Sequence, residues 1–323
     1  MKLHRRTALL AAGGALFASS QAPAQAAWPN QPLRLVVPYP PGGLTDVLGR
    51  LVGERLNAAF GQPVIIDNKP GAATQLGASY VAKQPADGYT LLLATVSTLC
   101  ITPALYAKPL IVHTDFAGAA FLGNVILILV CRPDLAVGNP KELVALLRAK
   151  PGGYSYGSPG VGTAHHLLTE LILSREQLKA VHVPYLGSVK AVVDLAEGRL
   201  DFMFLDATVA LPQIAAGKIK ALAVTGMGRN PVLPDVPALP EFFPGLDLQP
   251  WMSIAVPAGT PAAVLERLNS EINRALGEKA FVERLRQSGV EPMPLTLTAI
   301  GDFIKRDAGR WAELVRISGA KAE

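Results

Sequence analysis

Short apolar runs alternate along the chain with stretches whose apolar positions recur every three or four residues. The first pattern marks strands buried on both faces, the second amphipathic helices. "LRLVV" (33–37) opens the series as a strand. Apolar residues at 44, 47, 48, 51, 52 and 56 then predict a helix that stops at Gly61. The strand "PVIID" (63–67), the helix "ATQLGASYVAK" (73–83) and the strand "TLLLAT" (90–95) follow. The alternation resumes at "VILILV" (125–130) with the helix "PKELVALLRAK". Strands over "YSYG", "AVHVPY", "LDFMFL" and "IKALAVT" then interleave with helices over "TAHHLLTELILS" and "SVKAVVDLAEG" and the segment "LPQIAAGK". Such alternation predicts a parallel α/β sheet.

Residues 229–250 break the rhythm: they are proline-rich, without a period, and read as an ordered, proline-stiffened loop. "WMSIAVP" (251–257) resumes as a strand. A helix over "GTPAAVLERLNSEINRALG" is expected next, with Thr260 as N-cap, Pro261 at the first helical position and Gly277 at its end. A last amphipathic helix, from Thr298 to about Ile317, carries Phe303, Ile304, Trp311, Leu314 and Val315 on its apolar side. A chain of 323 residues is long enough for two lobes. Placing the crossings near 125–130 and 251–256 makes residues 27–124 plus 251–323 one α/β lobe and 125–250 the other.

The first 26 residues stand outside this scheme. "MKLHRR" is basic, "TALLAAGGALFASS" is an apolar run too short to span a membrane, and Ala24-Gln25-Ala26 suits cleavage after Ala26. A cleavable signal peptide and a periplasmic protein are therefore expected. Arg5-Arg6 fits twin-arginine export and Ala8 fits it poorly, so both export routes stay open. The segment holds Lys2, Arg5 and Arg6 and no acid, so the formal charge of +5 falls to +2 once it is removed. No basic stripe with interleaved aromatics appears, which argues against nucleic acid as a partner. Cys100 and Cys131 fit no zinc spacing. A disulfide and two buried thiols are both open to an exported protein.

The order strand, glycine-rich loop, helix start occurs in "VVPYPPGGLTDV" and again in "YSYGSPGVGTAHHL". A helix start presents unpaired N–H groups and partial positive charge, and glycine lets a ligand approach them, so such loops hold anions without Arg or Lys. Facing each other from two lobes, the loops would form a clamp at the strand carboxyl ends. Plain turn chemistry is the competing account. Thr45 and Thr163 serve as well as N-caps, Asp46 as a complement to the helix dipole, and Asp206 in "FLDAT" as a loop cap.

Other chemistries fit less well. The chain lacks GK[ST], and "GVGTAH" lacks the third glycine of a dinucleotide loop. Ser158 has Gly160 after it but Tyr156 where a nucleophile elbow needs glycine. His165 and His166 are adjacent, so on a helix they diverge by roughly 100° and share one metal poorly. His166 could donate to a ligand or pack in the core. His113 and His182 have no evident partner. An exported α/β hydrolase thus lacks its nucleophile–base set; a ligand sensor feeding a signalling partner is the other alternative.

The chain resembles the exported solute-binding proteins of tripartite tricarboxylate transporters, the Bug-type receptors. The resemblance rests on "WPNQPLRLVVPYPPGGLTD", "DNKPGA", "DGYTLLLAT", "DFAGAAFLGN", "YGSPGVGTAHHL", "VHVPYLG", "RLDFMF", "GKIKALAVT", "LPDVPAL" and "PAGTP", in that order. It implies a type II periplasmic-binding-protein-like fold: two α/β lobes that close on a ligand cleft, without catalysis or cofactor. It implies a small organic carboxylate as ligand, membrane transporter subunits as partners, and a monomer. It also implies that Gly42, Gly43, Thr45 and Asp46 from the first loop line the cleft with Ser158, Gly160, Gly162, Thr163 and His166 from the second. Tyr39, Thr98 and Asp206 are further cleft candidates. Two departures stand out. "NKPGAAT" replaces the family's N-R-P-G-A-G-G, and Leu186 in "YLG" stands where a lysine is common, which favours a less charged ligand.

Overall fold

The computed structural model describes residues 28–321; the expected signal peptide lies outside them. The first lobe opens with β1 (Leu33–Val37), α1 (Leu44–Phe60), β2 (Val64–Asn68), α2 (Gln75–Ala82) and β3 (Thr90–Thr95). A π-helical turn (Ser97–Ile101), the single turn α3 (Thr102–Leu105) and β4 (Phe116–Val125) complete this pass. The chain then enters the second lobe through β5 (Leu127–Cys131) and α4 (Pro140–Ala149). There follow β6 (Ser155–Ser158), α5 (Ala164–Arg175), β7 (Val181–Pro184), α6 (Ser188–Ala196), β8 (Phe202–Asp206), α7 (Ala207–Ala215) and β9 (Lys220–Val224). It returns through β10 (Trp251–Pro257), α8 (Ala262–Ala275), α9 (Lys279–Gln287), β11 (Val290–Pro292) and α10 (Leu297–Ser318).

The strands form two sheets, in the orders β11-β4-β10-β3-β1-β2 and β7-β6-β8-β5-β9. Neither is wholly parallel, which corrects the expectation from the alternating pattern. β1 runs parallel to β2 and β3, but β10 is antiparallel to both of its neighbours, β3 and β4. In the second sheet β5 is likewise antiparallel to β8 and β9. The edge strand β11 is also reversed, antiparallel to β4. β5 and β10 are the first strands after a crossing, where the chain enters the sheet from the other lobe, and apolar periodicity carries no record of direction.

β4 escapes the apolar reading because "FAGAAFLGNV" is built of small residues poor in strand propensity. Packing explains them. A Cβ on Gly118 would lie 2.4 Å from Ile300 of α10, and one on Gly123 2.1 Å from the Glu291 carbonyl of β11. β10 is buried along its whole length. Trp251, fully covered, donates from its indole to Asp307 of α10 at 2.5 Å, and Phe121 and Phe303 pack against its ring. Each large apolar side chain buried this way contributes about 1.5–3 kcal/mol. This is how the C-terminal helix is tied to the first sheet.

Helix α8 starts at Ala262, with Pro261 in the cap position, whereas the sequence suggests Thr260. The Thr260 hydroxyl instead donates to the Pro257 carbonyl at 2.8 Å. The proline-rich segment is ordered, burying Leu239, Phe243, Leu246 and Leu248. Cys100 and Cys131 are both buried free thiols.

Candidate functional site

A cavity of about 170 Å³ lies where the two sheets meet. Its floor is the pair of chain crossings: Val125 and Leu127 from one, Pro250, Trp251 and Met252 from the other. The crossings touch, since Val125 N–H donates to the Pro250 carbonyl at 2.7 Å. The walls come from the carboxyl ends of β1, β3, β6, β7 and β8, the expected place for a ligand in α/β sheets.

The first loop behaves as a helix-start anion site. Pro38, Pro40 and Pro41 supply no N–H to the ladder and end β1. Gly42 then takes φ +90°, a conformation that favours glycine. Its N–H donates to Asp46 Oδ2 at 3.1 Å, and Arg50 bonds the same carboxylate. Burial pushes the Asp46 pKa up, but these bonds outweigh it and hold it below the usual carboxylate value. Asp46 and Gly42 thus shape the loop without lining the cavity; Gly43, Leu44 and Thr45 line it. The N-cap of α1 is Gly43, not Thr45, and no side chain caps the helix. Its first N–H groups are left for a ligand.

The second loop is different. Thr163 caps α5 by accepting from the His166 N–H at 3.4 Å, and Thr163 Oγ1 donates to the Gly160 carbonyl at 2.8 Å. Ser158 Oγ bonds His182 Nε2 at 2.7 Å. His166 stacks on His182 with ring centroids 4.2 Å apart, and His182 on Tyr156 at 4.7 Å. Ser158, Gly160, Gly162, Thr163 and His166 are therefore occupied with one another, and the cavity takes only Pro159, Ala164 and His165 from this stretch. A Cβ on Gly162 would sit 2.9 Å from Thr102 and 3.0 Å from Leu105. That glycine permits the second lobe to close on α3. Ser158, of the Ser158–His182 pair, is fully buried and is not among the residues lining this cavity.

The place opposite α1 is filled instead by the turn before α6, which the sequence reading passed over. Gly187, at φ +95°, is the N-cap of α6, and no side chain caps this helix either. Gly187 to Lys190 line the cavity. A Cβ on Gly187 would lie 2.6 Å from Pro40, and one on Gly42 3.7 Å from Val189, so the starts of α1 and α6 face each other at contact distance. The signal was present: "VHVPYLGSVKAV" repeats the order strand, glycine, helix of the other two loops.

Polar side chains complete the walls. The Tyr39 hydroxyl lies 3.4 Å from Thr95 Oγ1, which bonds Thr98 Oγ1 at 3.0 Å. Thr98 is fully buried behind Thr95 and does not reach the cavity; Thr95 and Ser97 do. Burial, with the charge of Asp206 adding, raises the Tyr39 pKa and keeps its hydroxyl neutral. Asp206 lines the cavity at the end of β8 and caps no helix with its side chain. Burial pushes its pKa up, yet His165 and the Ser188 hydroxyl hold it below the usual value. Among the described residues, Asp206 is the one acid and Lys190 the one permanent cation on the lining, and Lys190 is exposed at the rim. Leu44, Val96, Leu186 and Val189 give the rest an apolar character.

The sequence profile of the tripartite tricarboxylate transporter family receptor matches residues 48–319. The chain is 36% identical to protein BugT of Bordetella pertussis, over 98% of each chain. Among solved structures it is similar to an R. palustris protein with adipate, at TM-score 0.88 and 32% identity, covering 91% of this chain and 99% of that one. It is also similar to the periplasmic binding protein BugD, at TM-score 0.86 and 30% identity, covering 92% and 100%. MatC from Rhodopseudomonas palustris, with bound malate, matches at TM-score 0.84 and 27% identity, covering 89% and 99%.

Proposed function

The chain belongs to the tripartite tricarboxylate transporter receptor family, and on that premise we propose that it is a periplasmic receptor that closes on a small organic carboxylate. The observation that carries this reading is the meeting of two helix starts, α1 and α6, neither capped by a side chain, over one cavity. A carboxylate placed there takes N–H donors from the first turns of both helices and hydroxyls from Tyr39 and Thr45. Charged hydrogen bonds in a closed, largely apolar pocket hold an anion without any arginine. Similar proteins with adipate and malate bound support the ligand class.

The lobes, residues 27–124 plus 251–323 and residues 125–250, swing about the paired crossings at the cavity floor, as hinge closure around a ligand requires. Better ligand contacts in the closed form drive the swing. The closed monomer then hands its ligand to membrane transporter subunits, with no chemical change to the ligand. Residues 1–26 direct export and are removed, so the exported protein begins at Ala27.

The test is a thermal-shift screen of refolded mature protein against mono-, di- and tricarboxylates. A ligand at 100 times its dissociation constant stabilises by about 2.7 kcal/mol, which raises the midpoint by roughly 4–5 °C for a chain of this size. A shift with one acid, lost when Tyr39→Phe and Thr45→Ala are combined, supports the reading. A flat response across all carboxylates, in folded protein, overturns it.

A further inference from the structure

One wall of the cavity is left over by the helix-start clamp. Asp206 stands there, 7% exposed, with its Oδ2 accepting from Ser188 Oγ at 3.0 Å. Its Oδ1 lies 3.3 Å from His165 Nε2. That is a close approach without the alignment of a hydrogen bond, and both ring nitrogens of His165 lack a hydrogen-bond partner although the residue is only 9% exposed. Both residues line the cavity. A buried polar group left unpaired costs free energy that a partner would recover. The pair therefore offers an anionic acceptor and an unpaired imidazole to whatever enters.

The geometry points to a second recognition subsite at His165 and Asp206, which takes a hydrogen-bond-donating substituent, a hydroxyl or an ammonium, carried by the carboxylate ligand. This rests on the receptor reading above and narrows its ligand class. The clamp at α1 and α6 holds the carboxylate end; the donor group points to Asp206 Oδ1. A second carboxylate at this wall would meet the Asp206 charge at close range, and like charges there are unfavourable. Lys190, in the first turn of α6, is exposed, and no hydrogen bond or ion pair joins it to Asp206 among the described residues. Leu186, 58% exposed, adds no charge. A ligand with one carboxylate and one donor matches both ends; an unsubstituted acid leaves the dyad unpaired.

Calorimetric titration of the refolded mature protein tests this with matched sets of four to six carbons. Each set holds the plain monocarboxylate, its hydroxy and amino derivatives, substituted at carbon 2 or at the far end, and the dicarboxylate. One substituted acid should bind about tenfold or more tighter than both its parent and the diacid, the gain expected of one hydrogen bond to a charged group. Asp206→Ala should erase that preference. Asp206→Asn separates the two donors: it keeps an acceptor for a hydroxyl but removes the charge an ammonium needs. Because the reading is a ratio between ligands in one protein, a general loss of affinity cancels out. If acids bind but no substituted acid is preferred, or if Asp206→Ala weakens all of them equally, the subsite is refuted and the receptor stands. If no acid binds at all, both fall.

Discussion

Ser97 Oγ accepts the backbone N–H of Ala164 at 3.0 Å. A hydroxyl just past β3 of the first lobe thus holds the leading donor of α5 in the second, across the cleft. Ser97 starts a π-helical turn, an irregularity common at functional sites. Ser97→Ala leaves that donor unpaired in the closed form at a cost of about 1–2 kcal/mol. The dissociation constant should rise by about tenfold in calorimetry, with little change in the melting temperature of the free protein. A fall in melting temperature with unaltered affinity would mean the bond serves stability and not closure.

Gly187 and Gly198 both adopt positive φ, +95° and +77°, but only Gly187 approaches the other lobe. Gly198→Ala meets nothing within 4 Å and should show backbone strain alone, about 1 kcal/mol in a denaturation curve. Gly187→Ala adds a clash with Pro40 and should also weaken ligand binding by more than tenfold. Equal effects of the two on affinity would remove Gly187 from the closure contact.

Asp46 acts on the first loop through the Gly42 N–H. Asp46→Asn keeps an acceptor and should retain ligand affinity within about threefold, whereas Asp46→Ala, losing the bond, should cost about tenfold. Titration of both variants decides. Similar loss in both would indicate that the charge itself reads the ligand.

His166 and His182 are held neutral inside the second lobe. Burial, and for His166 also the neighbouring His182, lowers their pKa from 6.5 to about 3 and about 4. The unfolded chain takes up protons below pH 6.5 that the folded one refuses, so stability is fully present above that pH and falls between 6.5 and 4. By pH 5 the two should cost about 4 kcal/mol. Urea denaturation at pH 7 and pH 5 measures this, and His182→Gln should remove about half of the difference. A flat profile would show that the stack accepts a proton while folded.

Cys100 and Cys131 are buried thiols, and burial raises the pKa of both, Cys131 to about 11. Native protein should therefore resist alkylation. Denatured, unreduced protein should gain two adducts by mass spectrometry; no adduct there would reveal a disulfide.

The sequence by itself determined most of the elements and nominated helix-start loops as an anion site. Apolar period separates buried strands from helices, so "LRLVV" and "TLLLAT" were readable residue by residue. Proline and glycine act on their own backbone, so the abrupt end of β1 and the start of α1 were readable too. Strand direction was not, because residues 90–95 and 251–257 look alike whether they run parallel or opposed. β4 was hidden because its small residues answer to Ile300 and Glu291, far along the chain. The site divides in the same way. Thr45, Tyr39, Gly43 and Asp206 were nominated from the sequence and do line the cavity. Ser158, Thr163 and His166 were nominated on equal grounds and point inward, since a loop's side chains choose between a ligand and one another only when neighbours such as His182 are in place. Only the tertiary structure set Gly187 against Pro40, across the two lobes, and His165 beside Asp206, where α5 packs over the end of β8 within the second lobe; both contacts join segments far apart in the chain.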